Sequence, residues 1–236
     1  MEKPAVLQSK QTDSGGSVAT MPASIRSKSF KDYYFGTILQ PGRTFTALLA
    51  DERRLRFGVY ALGINAVLYT LVYVFLSMAG AVPSSFMPWL SIPKEVYYQY
   101  DRLILAPSML ICWILAAAVA QLLSRAFGGK SSFEDMLSLF GFAISIASLA
   151  SLLHDLPDSF LEAIGLINAR EYEVLLNSPT VWRTILWVLY TLYLVLFLVL
   201  FPKAVSAAQR IRRGPAVLVG VLAFIAYQGM FLVFNR

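Results

Sequence analysis

The chain has 236 residues, of which 57% are hydrophobic and only 14% charged, and it carries a net charge of +6. A soluble domain usually has about 25% charged residues, and a chain this size cannot hide several uninterrupted apolar helices in one water-soluble core, so lipid is its expected solvent. The basic residues gather at the ends of apolar runs and not in an aromatic-lined groove, so anionic headgroups are the expected partner and nucleic acid is not.

Residues 1–28 are rich in Ser, Thr, Gln and Gly without an apolar period, and read as a disordered tail. No cleavable signal is expected, because the first continuous apolar run begins near residue 57 and is too long for removal. The next segment, 29–56, places Phe30, Tyr33, Tyr34, Phe35, Ile38, Leu39, Phe45, Leu48 and Leu49 around Pro41-Gly42. It reads as one or two amphipathic helices in the membrane interface, with a lead-in packed on the bundle as the alternative. The basic group Arg53, Arg54 and Arg56 follows, placed to reach headgroups.

Residues 57–236 form the membrane domain. Five apolar runs, at 57–79, 103–123, 136–153, 185–201 and 216–234, contain no Asp, Glu, Lys or Arg. At about 1.5 Å per residue they match a hydrocarbon core of about 30 Å, and helices are what lipid demands of the backbone. The expected fold is therefore all-α: a polytopic bundle of five transmembrane helices preceded by the interfacial segment. Fifteen Lys and Arg residues fall on the side of the N-terminus, including Arg210, Arg212 and Arg213, and five fall on the other. The positive-inside rule then puts the N-terminus in the cytoplasm. Trp89, Tyr97, Tyr98, Tyr100, Trp182 and Trp187 are expected as an aromatic belt at the opposite interface.

Pro107 is expected near the start of the second span, where a missing amide is tolerated. Cys112, the single cysteine, excludes an internal disulfide and reads as a small buried hydrophobe. Between the second and third spans, Gly128 and Gly129 offer a left-handed helix end, and Ser131 with Glu134 has capping-box spacing. Gly129-Lys130-Ser131 lacks the glycine that a phosphate-binding loop needs at position 124, which is Ser124, and it lacks a preceding strand. The third span carries the small-residue face Ala143, Ala147 and Ser151, and Ala216 with Gly220 repeats it in the fifth, so these faces are expected to pack helix on helix. A polar pathway along Ser145, Ser148 and Ser151 is the functional alternative. Pro157 signals a stop or restart at the end of the third span. His154, Asp155 and Asp158 are the sole candidate ligands for a divalent cation or a metal-dependent reaction, and with one histidine in the chain the plainer reading is a polar helix terminus. No cofactor and no catalytic residue are expected.

Pro41-Gly42-Arg43-Thr44-Phe45 before the first span, Phe127-Gly128-Gly129-Lys130-Ser131-Ser132-Phe133 with Glu134 following it, and Leu139-Phe140-Gly141-Phe142 together resemble the Yip domain family, the Ypt/Rab-interacting membrane proteins, over about residues 35–234. The resemblance implies five helices, a cytoplasmic N-terminus, no catalytic activity and, for eukaryotic members, roles in vesicle traffic, Rab GTPase contact and membrane shaping. The Asp-Leu-Tyr-Gly-Pro motif of the eukaryotic branch is absent, so Rab binding is not carried over. A Gly-Tyr pair followed by proline is replaced by Gly141-Phe142 without one. The chain resembles the prokaryotic branch more closely, for which the resemblance implies little function. The expected role is that of a membrane-organising or protein-interaction component of a prokaryotic cytoplasmic membrane, in contact with other membrane proteins or its own copies. A transporter or channel subunit is the alternative.

Overall fold

A computed structural model describes residues 28–83 and 90–235, apart from the side chains at 170 and 173. The expected tail lies outside the described residues except for Lys28, and so does Trp89. Every regular element among the described residues is helical: α1 (Phe30–Leu39), α2 (Pro41–Leu49), α3 (Arg54–Met78), α4 (Tyr97–Ala126), α5 (Phe133–Ala163), α6 (Ala169–Asn177), α7 (Val181–Gln209) and α8 (Arg213–Phe234). A single 3-10 turn, Lys94–Val96, leads into α4.

Five of these helices, α3, α4 with its leading turn, α5, α7 and α8, are long and apolar enough to cross a membrane. Among them α5 is the axis, with 83% of its most apolar stretch buried against 17% for α7. Side-chain size decides this division. Gly141, Ala143, Ser145, Ala147, Ser148 and Ser151 let neighbours approach α5 closely, whereas α7 turns Leu192, Leu194, Val195, Leu198 and Val199 outward, where lipid tails are as apolar as the side chains. Helices α3, α4 and α7 pack on α5, and α8 closes the ring between α4 and α7.

Two backbone crossings set these distances. A Cβ at Gly141 would lie 2.3 Å from the Gly58 carbonyl oxygen, and one at Gly58 would lie 2.7 Å from the Cα of Ser138. Where α8 meets α7, a Cβ at Gly220 would lie 2.5 Å from the nitrogen of Pro202. Ala216, one turn earlier, is also buried. Side chains would force both helix pairs apart.

The helix ends differ from the sequence reading in three ways. Helix α4 begins at Tyr97, so Pro107 falls inside it. Pro157 likewise sits within α5, which runs on to Ala163 without a stop. Prolines persist inside bundle helices because neighbouring groups resupply the bonds they remove. The early start of α4 also takes in Asp101, which is fully buried. Its carboxylate receives the Asn235 amide at 3.1 and 3.2 Å, with the amide oxygen accepting from Ser108 Oγ at 2.9 Å, a pairing that ties the end of α8 to α4. Finally, Tyr97 and Tyr98 are not belt residues. They are buried against Tyr73, while Tyr100, Trp182 and Trp187 are more than half exposed.

Candidate functional site

Two regions carry polar chemistry, one at each end of the bundle. The first is built on α1 and α2. Ser29 caps α1 in a reciprocal pair with Asp32, and Pro41 starts α2 where a missing amide costs nothing. Phe30 then reaches Phe57 and Phe142, with ring centroids 5.8 and 5.7 Å apart. The hydroxyls of Tyr34 and Ser145 meet at 2.9 Å, and Phe45 and Leu48 are fully buried, with α2 lying against α7. Segment 29–56 is thus docked on the bundle. Its opposite edge remains apolar and open: Phe35 is 62%, Ile38 49% and Leu39 79% exposed.

Behind α2, Asp51 accepts from the Arg53 side chain at 2.9 and 3.0 Å, from the Arg53 amide at 2.9 Å and from the Tyr33 hydroxyl at 3.2 Å. The hydrogen bonds from Arg53 hold the Asp51 carboxyl down at about 2. Burial and the adjacent carboxylate push the Tyr33 hydroxyl up to about 12.

The turn between α4 and α5 abuts this platform. Gly128 has φ +81, the left-handed conformation that ends a helix cheaply only at glycine. Gly129 is not left-handed but close-packed, since a Cβ there would lie 2.4 Å from Gln209 Oε1. The capping box falls one residue later than its spacing predicted: Ser132 is the cap, and Asp135, not Glu134, returns the bond at 3.1 Å. Ser131 instead donates its amide to Gln209 Oε1 at 3.2 Å, and Gln121 donates to the Ser131 carbonyl at 2.7 Å. Gln209 closes the loop by donating to Gln121 Oε1 at 2.6 Å. Two buried amides from α4 and α7 therefore pin the turn. Periodicity could not single them out, because each is an ordinary polar residue near a helix end. Phe133 opens α5 partly exposed, whereas Gly141 and Phe142 lie deep in the core.

The basic residues divide. Arg54 is committed to α5, donating to Asp135 at 2.7 Å and lying 3.3 Å from Glu134, so it is a clamp between spans and not a free headgroup ligand as its position predicted. Arg53 is held by Asp51 and lies over the Phe57 ring at 4.8 Å. Arg56 lies over Tyr60 at 5.5 Å and is exposed. Arg210 and Arg212 in the short α7–α8 connection and Arg213 at the start of α8 are exposed, with Arg210 left-handed at φ 52.

At the other end of α5, His154 Nδ1 donates to Asp155 Oδ1 at 3.2 Å and Nε2 faces Asp158 Oδ2 at 2.9 Å. The Tyr172 hydroxyl donates to Asp158 and lies 3.1 Å from Nε2, and Tyr190 donates to Asp155 at 3.4 Å. Burial and the Asp158 carboxylate hold the Tyr172 phenol far above its ordinary value. The three candidate ligands are brought together, with the two ring nitrogens of His154 each turned to a carboxylate. Among the described residues no group of three His, Cys, Asp or Glu is arranged to hold a metal ion.

Between the two ends, Ala143 and Ala147 are fully buried, and Ser151 pairs with the Tyr69 hydroxyl of α3. Sequence reasoning found no amide beside these hydroxyls. On α3, which packs against α5, Asn65 is 1% exposed and has neither amide atom hydrogen-bonded.

An all-helical bundle with five apolar spans, its polar clusters confined mainly to the two ends, defines a multi-pass integral membrane protein. The Yip1 domain matches residues 35–235, nearly everything after the N-terminal segment, and the chain belongs to the Yip1 domain family. No curated protein and no solved structure matches it.

Proposed function

We propose that this chain is a non-enzymatic, membrane-organising or protein-interaction component of a prokaryotic cytoplasmic membrane, with its N-terminus in the cytoplasm and α1–α2 as its contact face. The observation that carries this reading is the two-sided burial of α1: Tyr33 and Thr37 face the bundle, while Phe35, Ile38 and Leu39 form an apolar edge facing outward. An apolar edge beside the exposed Arg43 and Arg56 suits insertion among lipid headgroups or contact with another membrane protein or a second copy. The excess of basic residues at the same end of the bundle supports the cytoplasmic assignment.

Spin labels at positions 35 and 39, in a Cys112→Ser background, test the contact face. Collisions with oxygen above those with a water-soluble nickel complex are expected in vesicles, and the reverse order would refute it. Labelling of a cysteine at position 28 from the cytoplasmic side only is the expected topology result.

A second reading, a transporter or channel subunit, is favoured by one observation, the buried and unpartnered Asn65 on α3, the helix packed against the serine-bearing α5. Solute flux through reconstituted vesicles that falls with Asn65→Leu would support it, and absence of flux in the unaltered protein would end it.

A further inference from the structure

Asn65 is 1% exposed, and among the described residues neither its amide oxygen nor its amide nitrogen is hydrogen-bonded. It lies about 16 Å along α3 from Arg54, at about 1.5 Å per residue, near the midplane of a hydrocarbon layer about 30 Å thick. Lipid supplies neither donor nor acceptor at that depth, so the two amide atoms need a ligand that the neighbouring side chains do not provide.

Helix geometry fixes what Asn65 faces. Gly58, Leu62, Asn65, Tyr69 and Val72 recur at intervals of three or four residues and share one face of α3, all buried except the half-buried Tyr69. On α5, Gly141, Ser145, Ser148 and Leu152 share a face in the same way, and all are buried. The two faces are tied at both ends. A Cβ at Gly58 would lie 2.7 Å from the Cα of Ser138, Gly141 crosses the same glycine, and the Tyr69 hydroxyl pairs with Ser151. Both helices run in the same direction, and this register sets Asn65 level with residues 145–148 of α5. A hydroxyl pair stands on either side of that level. Tyr34 of α1 meets Ser145 at 2.9 Å. Tyr69 and Ser151 line a cavity of about 610 Å³ beside His154, walled by α3, α4, α5, α6, α7 and α8. Ser145 and Ser151 are about 9 Å apart along α5, a gap that one amide with a water on either side can span at about 2.8 Å per hydrogen bond.

The ligand has to donate to Oδ1 and accept from Nδ2. A metal cation satisfies only the oxygen and an anion only the nitrogen, whereas water does both and makes about three hydrogen bonds in a buried polar site. Gly141, Ser145 and Ser148 are short enough to leave room between the helices. We propose that the α3–α5 interface binds water at Asn65, one molecule donating to Oδ1 and a second accepting from Nδ2. The two waters bridge the Tyr34–Ser145 pair to the Tyr69–Ser151 pair. A hydrogen-bonded track then runs from α1 through the middle of the membrane to the cavity beside His154. This site is independent of the α1–α2 contact face. Water is held there whether or not a solute crosses, so the hydration measurement and the flux measurement fail separately.

Solid-state NMR of the full chain in bilayers, with polarisation transferred from water, reads the site directly. The Asn65 side-chain amide and the Ser148 Cβ are expected to receive water polarisation at short mixing times. Phe140, fully buried and stacked on Phe201, is the dry reference and should receive none. Absence of transfer to Asn65 in the unaltered chain overturns the proposal. In Asn65→Leu, transfer to Ser148 should be lost, and transfer that persists undiminished overturns the assignment of the water to Asn65. If that variant does not fold, the Asn65 signal of the unaltered chain decides alone. The measurement is repeated with sodium chloride replaced by choline chloride. Unchanged Asn65 amide shifts are expected, and shifts that move with the cation assign the site to a metal ion and overturn the proposal.

Discussion

Replacing Gly141 by alanine tests whether the approach of α3 to α5 organises the bundle. The added Cβ would lie 2.3 Å from the Gly58 oxygen and 2.8 Å from its carbonyl carbon. Ordinary contact begins near 3.4 Å, so the helices must separate by about 1 Å. Backbone cannot step aside as a flexible side chain would. Overpacking of this kind costs about 1–3 kcal/mol, and a gap approaching 1 Å forfeits up to about half of each neighbouring dispersion contact. Better helix propensity returns up to about 1 kcal/mol, leaving a net loss of up to about 2 kcal/mol, or as much as roughly a 30-fold shift toward the unfolded state. Gly63 is the internal control: it lies in α3 with nothing within 4 Å of its hypothetical Cβ, so Gly63→Ala keeps the propensity gain without the clash. Unfolding in mixed dodecylmaltoside and SDS micelles, followed by circular dichroism, should show Gly141→Ala and Gly58→Ala destabilised and Gly63→Ala equal to or above the parent. Equal stability for Gly141→Ala and Gly63→Ala would refute the crossing as a close-contact site.

Asp135→Ala should destabilise more than Glu134→Ala in the same assay, because Asp135 both completes the α5 cap and accepts from Arg54; partial exposure limits the difference to about 1 kcal/mol. Gln121→Leu leaves the Gln209 amide and the Ser131 carbonyl without a partner, and a loss of about 1–3 kcal/mol is expected, with faster proteolysis at Lys130. The Asp51 carboxyl is held at about 2, below its ordinary 3.8, so its contribution is complete above about pH 4 and is lost as pH falls toward 2. Protection factors of the amides in α1 and α2, taken relative to the pH-dependent intrinsic exchange rate, should therefore fall below pH 4 and stay flat from pH 5 to 8. Asp51→Asn should abolish that pH step, and a step persisting in the variant would assign it elsewhere. Tyr172→Phe removes the hydroxyl shared by Asp158 and His154, and faster exchange confined to α6 and the end of α5 is expected.

What the sequence by itself determined is the solvent and the number of crossings, because backbone amides in lipid leave little choice but helices. Apolar length in the five runs is a local property, and each run became a spanning helix. Small residues in α5 and large ones in α7 likewise read directly as centre and periphery, since side-chain size controls approach. Partners across the chain were another matter. Spacing put the α5 cap at Ser131, one residue early, because nothing local reveals that Gln121 and Gln209 hold Ser131 by its backbone. Arg54 read as a headgroup ligand until α5 brought Asp135 within 2.7 Å. Gly58 carried no signal at all, since its need for a bare backbone arises only where α3 meets Gly141. The cavity beside His154 is likewise a product of six helices meeting, and no single segment of the chain contains it.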